Sequence, residues 1–300
     1  MRRAPRTLAG PASFRGVGVH SGAPATLRAW PAPAGHGRVF RVPGGLVPAR
    51  VASVVRTDRC TTLGVGPASI STVEHVLSAA AALGLDNLLM EVDGPEIPIM
   101  DGSALPFLEG FRAAGLVEQE GLVAARTLPR AIFAASGDSL VLALPAGEAS
   151  FEASIHFRHP LVGLQQFAFQ PGSDDYAAAV APARTFGFYE EVQALLARGL
   201  ARGGDVSNAL VLGGPEGFSS PPRFPDEPVR HKVLDLIGDL ALLESPLVAR
   251  VIAVRAGHAL HVELARKILE EVPHAGLEGD PVPVASSIPV PAGGSGPGTR

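Results

Sequence analysis

Hydrophobic and polar positions divide the chain into two similar blocks. Short apolar runs separated by Gly and Pro turns fill residues 13–65 and return at residues 130–170, as is typical of strand-rich layers. Each layer is followed by longer amphipathic stretches that predict helices. The pattern therefore predicts an α+β fold with two similar domains, at residues 1–122 and 123–272. Residues 273–300 are rich in Pro and Gly without periodicity, and we expect a disordered tail there.

The helix predicted over residues 229–243 carries the most unusual polar side chains of the chain. His231, Asp235 and Asp239 recur every four residues, so they lie along one face of a helix that is otherwise mostly Val, Leu, Ile and Ala. An imidazole and a carboxylate one turn apart can bind one cation. Lys232 lies beside this pair and is a candidate donor, because lysine is rare in this chain. A buried helix with a hydrogen-bonded polar network is the alternative, and a metal site needs a third ligand from elsewhere.

A second predicted helix at residues 71–84 offers that ligand. Ser71 and Glu74 have the spacing of a capping box, and Gly84 can end the helix, so capping alone is one sufficient explanation of Glu74. His75 is harder to explain by packing, because Ala or Leu would serve better in an apolar first turn. A carboxylate directly beside a candidate metal ligand also suits a base that acts on water at the metal.

Two further histidines leave both a structural and a functional interpretation open. His20 lies in the Gly-bracketed segment at residues 16–22, which is also compatible with a strand and a turn. His258 follows Gly257 at the start of a predicted helix, where it could cap or pack.

The two predicted helices together offer a ligand set of two His and one Asp. Such a set would leave a tetrahedral zinc one open position, as in catalytic sites. An H-E-x-x-H motif is absent from the sequence, which excludes the common zincin arrangement.

Composition narrows the class of protein further. A hydrophobic content of 46% with 18% charged residues is ordinary for a globular protein, and the net charge of −4 gives no case for binding nucleic acid or a membrane surface. The single cysteine, Cys60, excludes an internal disulfide framework and fits a reducing compartment. The first residues lack the apolar segment of a secretory signal, and no apolar run is long enough to span a bilayer. We therefore expect a soluble cytoplasmic protein.

Five sequence segments together resemble one known family. They are STVEH at 71–75, PIMDGS at 98–103, ARTFGF at 183–188, RHKVLDLIGD at 230–239 and GHAL at 257–260. In this order and at these spacings the chain resembles the UDP-3-O-acyl-N-acetylglucosamine deacetylases, the zinc amidases of lipid A synthesis, from Arg6 to about residue 270. The resemblance implies two α+β domains, each with a mainly antiparallel sheet. Their helices would be sandwiched between the two sheets, with the zinc site between the domains.

The resemblance also implies catalytic roles for individual residues. The zinc ligands would be His75, His231 and Asp235. Glu74 would be the base that activates the attacking water, and His258 the protonated acid that donates to the amine leaving group.

Three neighbours would support this chemistry. Thr185 would hydrogen-bond the developing oxyanion, and Asp239 would hold His258 in its working orientation. Lys232 would contact the substrate. The expected partner is a UDP-linked acylated amino sugar, bound by a monomer with one Zn²⁺ per chain.

The family's substrate contacts are matched only in part. The chain has apolar residues that would line the acyl passage, namely Phe186, Val192 and Val206. It also has a basic residue near the phosphates, Arg255, and a cysteine close to the site, Cys60. For Cys60 we favour a role as a small apolar packing residue. Ser139 stands where a phosphate-binding lysine tends to occur, Arg202 replaces an aliphatic residue, and Pro228 replaces a frequent aromatic residue.

Two alternatives to this activity remain. A related zinc amidase acting on another acetamido or nucleotide sugar would explain Ser139 and Arg202. A non-catalytic binding protein that keeps the fold is the other alternative, but it would have no need of Glu74, His258 and Thr185 together.

Overall fold

The computed structural model describes part of the chain in detail. The described residues are 2–197, 202–205, 207–214 and 217–272, with the backbone alone at residues 195 and 196. The tail predicted at residues 273–300 lies outside them. No helix among the described residues is long and apolar enough to cross a membrane.

The first block contains a five-stranded, a three-stranded and a two-stranded sheet. Its strands are β1 (Arg2–Arg3), β2 (Arg6–Leu8), β3 (Ala12–Val17), β4 (Pro24–Pro31), β5 (Arg38–Val42), β6 (Gly45–Pro48), β7 (Val54–Arg56), β8 (Thr62–Val65), β9 (Ala68–Ser71), β10 (Leu88–Val92) and β11 (Leu116–Glu118). Its helices are α1 (Glu74–Ala82) and α2 (Leu105–Ala114). The strand order is β3-β4-β10-β5-β6, antiparallel except between β10 and β5, and β7-β8-β9 form the smaller sheet.

The second block repeats this plan. Its strands are β12 (Val123–Ala124), β13 (Arg126–Thr127), β14 (Ile132–Ser136), β15 (Ser139–Pro145), β16 (Ser150–Phe157), β17 (Gly163–Phe169), β18 (Phe186–Phe188), β19 (Leu210–Gly214), β20 (Gly217–Phe218) and β21 (Leu247–Val254). Its helices are α3 (Tyr176–Ala179), α4 (Tyr189–Ala197), α5 (Glu227–Leu240) and α6 (His258–Glu271). The main sheet has the order β14-β15-β21-β16-β17, and β18-β19-β20 form a separate small sheet.

Alternating side chains fix which face of each sheet is covered. In β21, Leu247, Ala249, Val251 and Ala253 are buried, whereas Arg250 between them is exposed. A strand with this period of two buries one face against helices and leaves the other near solvent.

The helices of the two blocks pack against each other between the two main sheets. α2 lies on β3 of the first sheet, while α5 and α6 lie on strands of the second, and α1 packs against α5 at the centre. This sheet-helix-helix-sheet order confirms the predicted α+β architecture.

Element boundaries agree with the sequence patterns to within a few residues. The helix predicted over 229–243 begins two residues earlier at Glu227 and ends at Leu240, where a 3-10 turn at Ala241–Leu243 continues it. β1 pairs with β12, so the start of the chain contacts the start of the second block. The division into domains at residue 122 stays a prediction.

Candidate active site

The site forms where α1 crosses α5. A Cβ atom at Gly238 would lie 2.1 Å from the carbonyl oxygen of Glu74, so only glycine allows the two helices this close. The contact places the start of α1 beside the middle of α5. The rings of His75 and His231 consequently lie edge to face, with centroids 5.0 Å apart.

His75, His231 and Asp235 form a buried cluster that fits a metal ion. Their ligand atoms lie within 4.8 Å of one another. Nδ1 of His231 donates to the carbonyl of Ala183 at 3.0 Å, which leaves its Nε2 facing Asp235 Oδ1 at 3.3 Å. Nδ1 of His75 is buried without a hydrogen-bond partner among the described residues. A cation would satisfy this donor set, since two imidazoles and a carboxylate are typical ligands of catalytic zinc.

The protonation states of the cluster suit metal binding. Burial lowers the pKa of His75 to about 3 and also lowers the pKa of His231, so both rings are neutral near pH 7. Burial would raise the pKa of Asp235, but Lys232 and His231 hold it well below its usual range. Lys232 Nζ donates to Asp235 Oδ2 at 2.8 Å. The ligands are thus held in the forms that bind cations.

Glu74 faces this cluster and does not cap its helix. α1 begins at Glu74 without a side-chain cap, and Ser71 belongs to β9, so the predicted capping box is wrong. The intervening Thr72 has a φ of +61°, which turns the chain before the helix starts. Glu74 Oε2 accepts the Thr61 amide at 3.1 Å, and burial raises the pKa of Glu74 to about 8.

His258 lies across from Glu74 and is held by Asp239. Its Nε2 is 4.0 Å from Glu74 Oε1, and its Nδ1 donates to Asp239 Oδ2 at 2.8 Å. Burial alone would lower the pKa of His258, but the Asp239 and Glu74 carboxylates raise it to about 10. His258 is therefore a cation near pH 7. Asp239 has two other donors, the Thr61 hydroxyl at 2.6 Å and Nδ1 of His261 at 2.8 Å.

The segment 183–185 joins the metal cluster to the cavity beside it. The Ala183 carbonyl orients His231, and the Arg184 guanidinium pairs with the buried Glu227 carboxylate at 2.8 Å, at the start of α5. The Thr185 amide donates to the Gly102 carbonyl at 2.7 Å, and Thr185 lines the cavity.

A cavity of about 500 Å³ opens over these residues. Lys232, Thr185, Phe186 and Val192 line it together with Glu74, His258 and the metal cluster. The structure thus brings together the predicted metal ligands, most of the predicted catalytic residues and two of the predicted acyl-contact residues. Asp239 is completely buried and reaches the cavity only through His258.

The other predicted substrate contacts lie elsewhere. Arg255 pairs with Asp138 at 3.5 Å and its carbonyl accepts the Ser139 hydroxyl, away from the cavity lining. Cys60 is buried and outside the lining, and burial raises the pKa of its thiol to about 11. Val206 lies outside the described residues.

The replaced family positions also have defined places. Pro228 is buried in the first turn of α5, where a missing amide proton costs no helical hydrogen bond. The backbone of Arg202 donates to the His20 carbonyl.

The fold brings two further histidines to the site: sequence reasoning missed His261 and left the role of His20 open. His261 donates from its Nδ1 to Asp239 Oδ2. His20 lines the cavity, and its amide and that of Ser21 donate to the buried carboxylate of Glu96. The only sequence signal was the pair of glycines around His20, since a Cβ at Gly18 would lie 2.3 Å from Glu96 Oε2.

Comparison with known proteins agrees with this geometry. The model of the family LpxC, UDP-3-O-acyl N-acetylglycosamine deacetylase, matches residues 5–270. The chain belongs to this family. It is therefore an enzyme of the deacetylase class.

Relatives within the deacetylase family are similar over most of their length. The UDP-3-O-acyl-N-acetylglucosamine deacetylase of Thermosynechococcus vestitus is 45% identical over 270 residues, which cover 89% of this chain and 94% of the relative. The proteins of the same name from Myxococcus xanthus and Leptospira biflexa are 43% and 40% identical, each over 89% of this chain, and over 86% and 90% of their own lengths.

Proposed function

We propose that the chain hydrolyses the acetamide of UDP-3-O-acyl-N-acetylglucosamine to UDP-3-O-acyl-glucosamine and acetate, the committed step of lipid A biosynthesis. Membership of the deacetylase family supports this activity. The observation that carries it is the buried cluster of His75, His231 and Asp235 in one cavity with Glu74 and His258. A UDP-linked acylated amino sugar is the expected partner, and the monomeric state and the cytoplasmic location stay predictions.

The cluster would hold one Zn²⁺ and leave room for further ligands. His75, His231 and Asp235 supply three donors, and the described residues add no fourth protein ligand to this cluster, which is the pattern of catalytic zinc. Bound zinc lowers the pKa of a water molecule and polarises the carbonyl to be attacked. Lys232, which neutralises part of the charge of Asp235, lies where it can also contact the substrate.

Glu74 and His258 divide the proton transfers between them. Glu74 takes a proton from water while the oxygen of that water bonds to the acetamide carbon. A pKa near 8 allows Glu74 to gain and lose a proton near neutral pH. His258 gives its proton to the sugar nitrogen as the C–N bond breaks, so acetate and a free amine leave. Asp239 keeps the His258 ring aimed at Glu74 and the cavity.

The hydroxyl of Thr185 supports the oxyanion in this reaction. Thr185 lines the same cavity as the metal cluster, and the Gly102 carbonyl anchors its amide. A donor held in place before the reaction stabilises developing charge without reorganising.

Substrate contacts follow from the chemistry of the cavity wall. Phe186 and Val192 offer apolar surface for the acyl chain. Val206, which the family resemblance adds to this surface, lies outside the described residues. Arg255 lies outside the cavity lining and pairs with Asp138, so its proposed contact with the phosphates rests on the family resemblance alone. Cys60 would act by packing, since it is buried.

A related amidase that accepts another acetamido sugar is the second candidate. The observation that favours it is Ser139, which offers a neutral hydroxyl already bonded to the Arg255 carbonyl in place of a lysine.

Acetate release separates the two candidates. The purified holoenzyme is given UDP-3-O-acyl-N-acetylglucosamine and the same acylated sugar without UDP, each alone and in competition. We expect release from the UDP-linked substrate and at least tenfold lower kcat/KM without UDP. Equal turnover of both would contradict the uridine-specific function, and no release from either would contradict deacetylation of this substrate class.

A further inference from the structure

The carboxylate of Asp239 receives more hydrogen bonds than the orientation of one histidine requires. Its Oδ2 accepts Nδ1 of His258 and Nδ1 of His261, both at 2.8 Å, and its Oδ1 accepts the Thr61 hydroxyl at 2.6 Å. Asp239 is fully buried, so these three protein donors surround it without solvent. The carboxylate is therefore held at both oxygens.

His261 occupies a position where an apolar residue would pack more easily. It is 1% exposed, and its Nε2 has no hydrogen-bond partner among the described residues. A buried nitrogen left without a partner destabilises the fold, and leucine would avoid this loss. The bond to Asp239 is the only polar contact that the described residues give this side chain.

Helix geometry places the two histidines on one side of Asp239. His258 and His261 are three residues apart in the first turn of α6, so they share a face. The amide of His261 donates to the Gly257 carbonyl at 3.1 Å, which fixes that turn. Because a carboxylate oxygen only accepts, both rings present Nδ1–H to it.

We propose that His261 is a positioning residue of the deacetylation, which locks the Asp239 carboxylate so that His258 stays aimed into the cavity. The carboxylate can rotate about its Cβ–Cγ bond unless both oxygens are held. Thr61 holds Oδ1, and His261 holds Oδ2 independently of His258. His258 can then give up the proton on its Nε2, while the Asp239 oxygen that accepts its Nδ1–H stays in place. The inference rests on the proposed role of His258 as the acid.

His261 acts through Asp239 and does not line the cavity, so it has no contact with the substrate. A change at this position should alter the rate of the chemical step and leave substrate binding unchanged. We therefore expect an effect on kcat with a constant KM.

Two amide substitutions test the hydrogen bond while keeping a polar side chain. The amide of Asn overlies the Nδ1 side of a histidine, whereas the longer Gln reaches towards the Nε2 side. We expect His261→Asn to retain kcat within about threefold and His261→Gln to lose on the order of tenfold, as is usual when an orienting group is removed. His261→Leu, which fills the space without a donor, should lose at least as much as His261→Gln.

Each variant is measured as the zinc-loaded holoenzyme beside the wild type, with acetate release and bound zinc as readouts. Ile268→Val, a mild core change on the same helix, serves as the matched control and should keep the wild-type kcat. A wild-type kcat in both His261→Gln and His261→Leu would overturn the inference, and so would an equal loss in His261→Asn and His261→Gln. A wild-type protein that releases no acetate would instead contradict the proposed function.

Discussion

At the level of single residues, the surroundings of Glu74 and Asp239 shift the pKa values of these two carboxyl groups in opposite directions. Burial raises the pKa of Glu74, whereas His258 and His261 hold the pKa of Asp239 at about 2 against the effect of burial. One group can therefore exchange protons near neutral pH while the other stays charged.

Substitution of Glu74 tests its proposed role as the base directly. Glu74→Gln removes the proton acceptor without touching the ligands, so we expect bound zinc to stay and the rate to fall by about 100-fold or more. His231→Ala removes a proposed zinc ligand and should lose both zinc and activity. Metal analysis and acetate release on the same samples check this, and near-normal activity in Glu74→Gln would refute the role of the base.

The pH profile tests the link between Asp239 and His258. Asp239→Asn removes a negative charge that raises the pKa of His258. The pKa of His258 therefore falls in this variant, and His258 loses its acidic proton at a lower pH than in the wild type. We expect the alkaline limb of kcat/KM to move down by about one pH unit. Glu152→Gln removes an exposed carboxylate that pairs with Arg250 and serves as the control. An alkaline limb that stays in place in Asp239→Asn would show that Asp239 does not tune the acid.

At the scale of elements, the site depends on one close helix crossing. α1 supplies Glu74 and His75, and α5 supplies His231, Asp235 and Asp239, so neither helix is sufficient alone. Gly238 sets their distance, since its missing side chain leaves room for the Glu74 backbone.

Enlarging this residue should separate the two helices. Alanine at Gly238 gains about 1 kcal/mol of helix propensity, but the clash with backbone atoms outweighs this gain, and we expect a net loss of about 1–3 kcal/mol. Zinc affinity should fall with it. Thermal unfolding and zinc titration measure both effects, with Gly147→Ala as control because nothing lies within 4 Å of a Cβ there. Unchanged stability and zinc affinity in Gly238→Ala would contradict this account of the crossing.

The sequence predicted those parts of the site that depend on local spacing. The interval of four residues placed His231, Asp235 and Asp239 on one face, because helix periodicity alone decides it. The capping box failed because Thr72 adopts a left-handed conformation and Glu74 turns to the site instead. His261 was missed and the role of His20 stayed open, because their contacts cross between elements far apart in the chain.

At the scale of the whole molecule, two sheets enclose the helices and the site. Six ionisable side chains are buried around one cavity: Glu74, His75, His231, Asp235, Asp239 and His258. Burying so many of these groups is unfavourable unless they pair with one another or with a metal ion. Their concentration in one place is typical of a site selected for chemistry.

Metal-dependent acetate release tests whether the buried cluster of His75, His231 and Asp235 is a catalytic zinc site. The holoenzyme is assayed with UDP-3-O-acyl-N-acetylglucosamine, treated with a chelator until no zinc remains, and then titrated with zinc. We predict that activity disappears with the metal and returns in full at one equivalent of zinc per chain, whereas Glu74→Gln binds the zinc and stays inactive. Undiminished acetate release from metal-free protein would contradict the account.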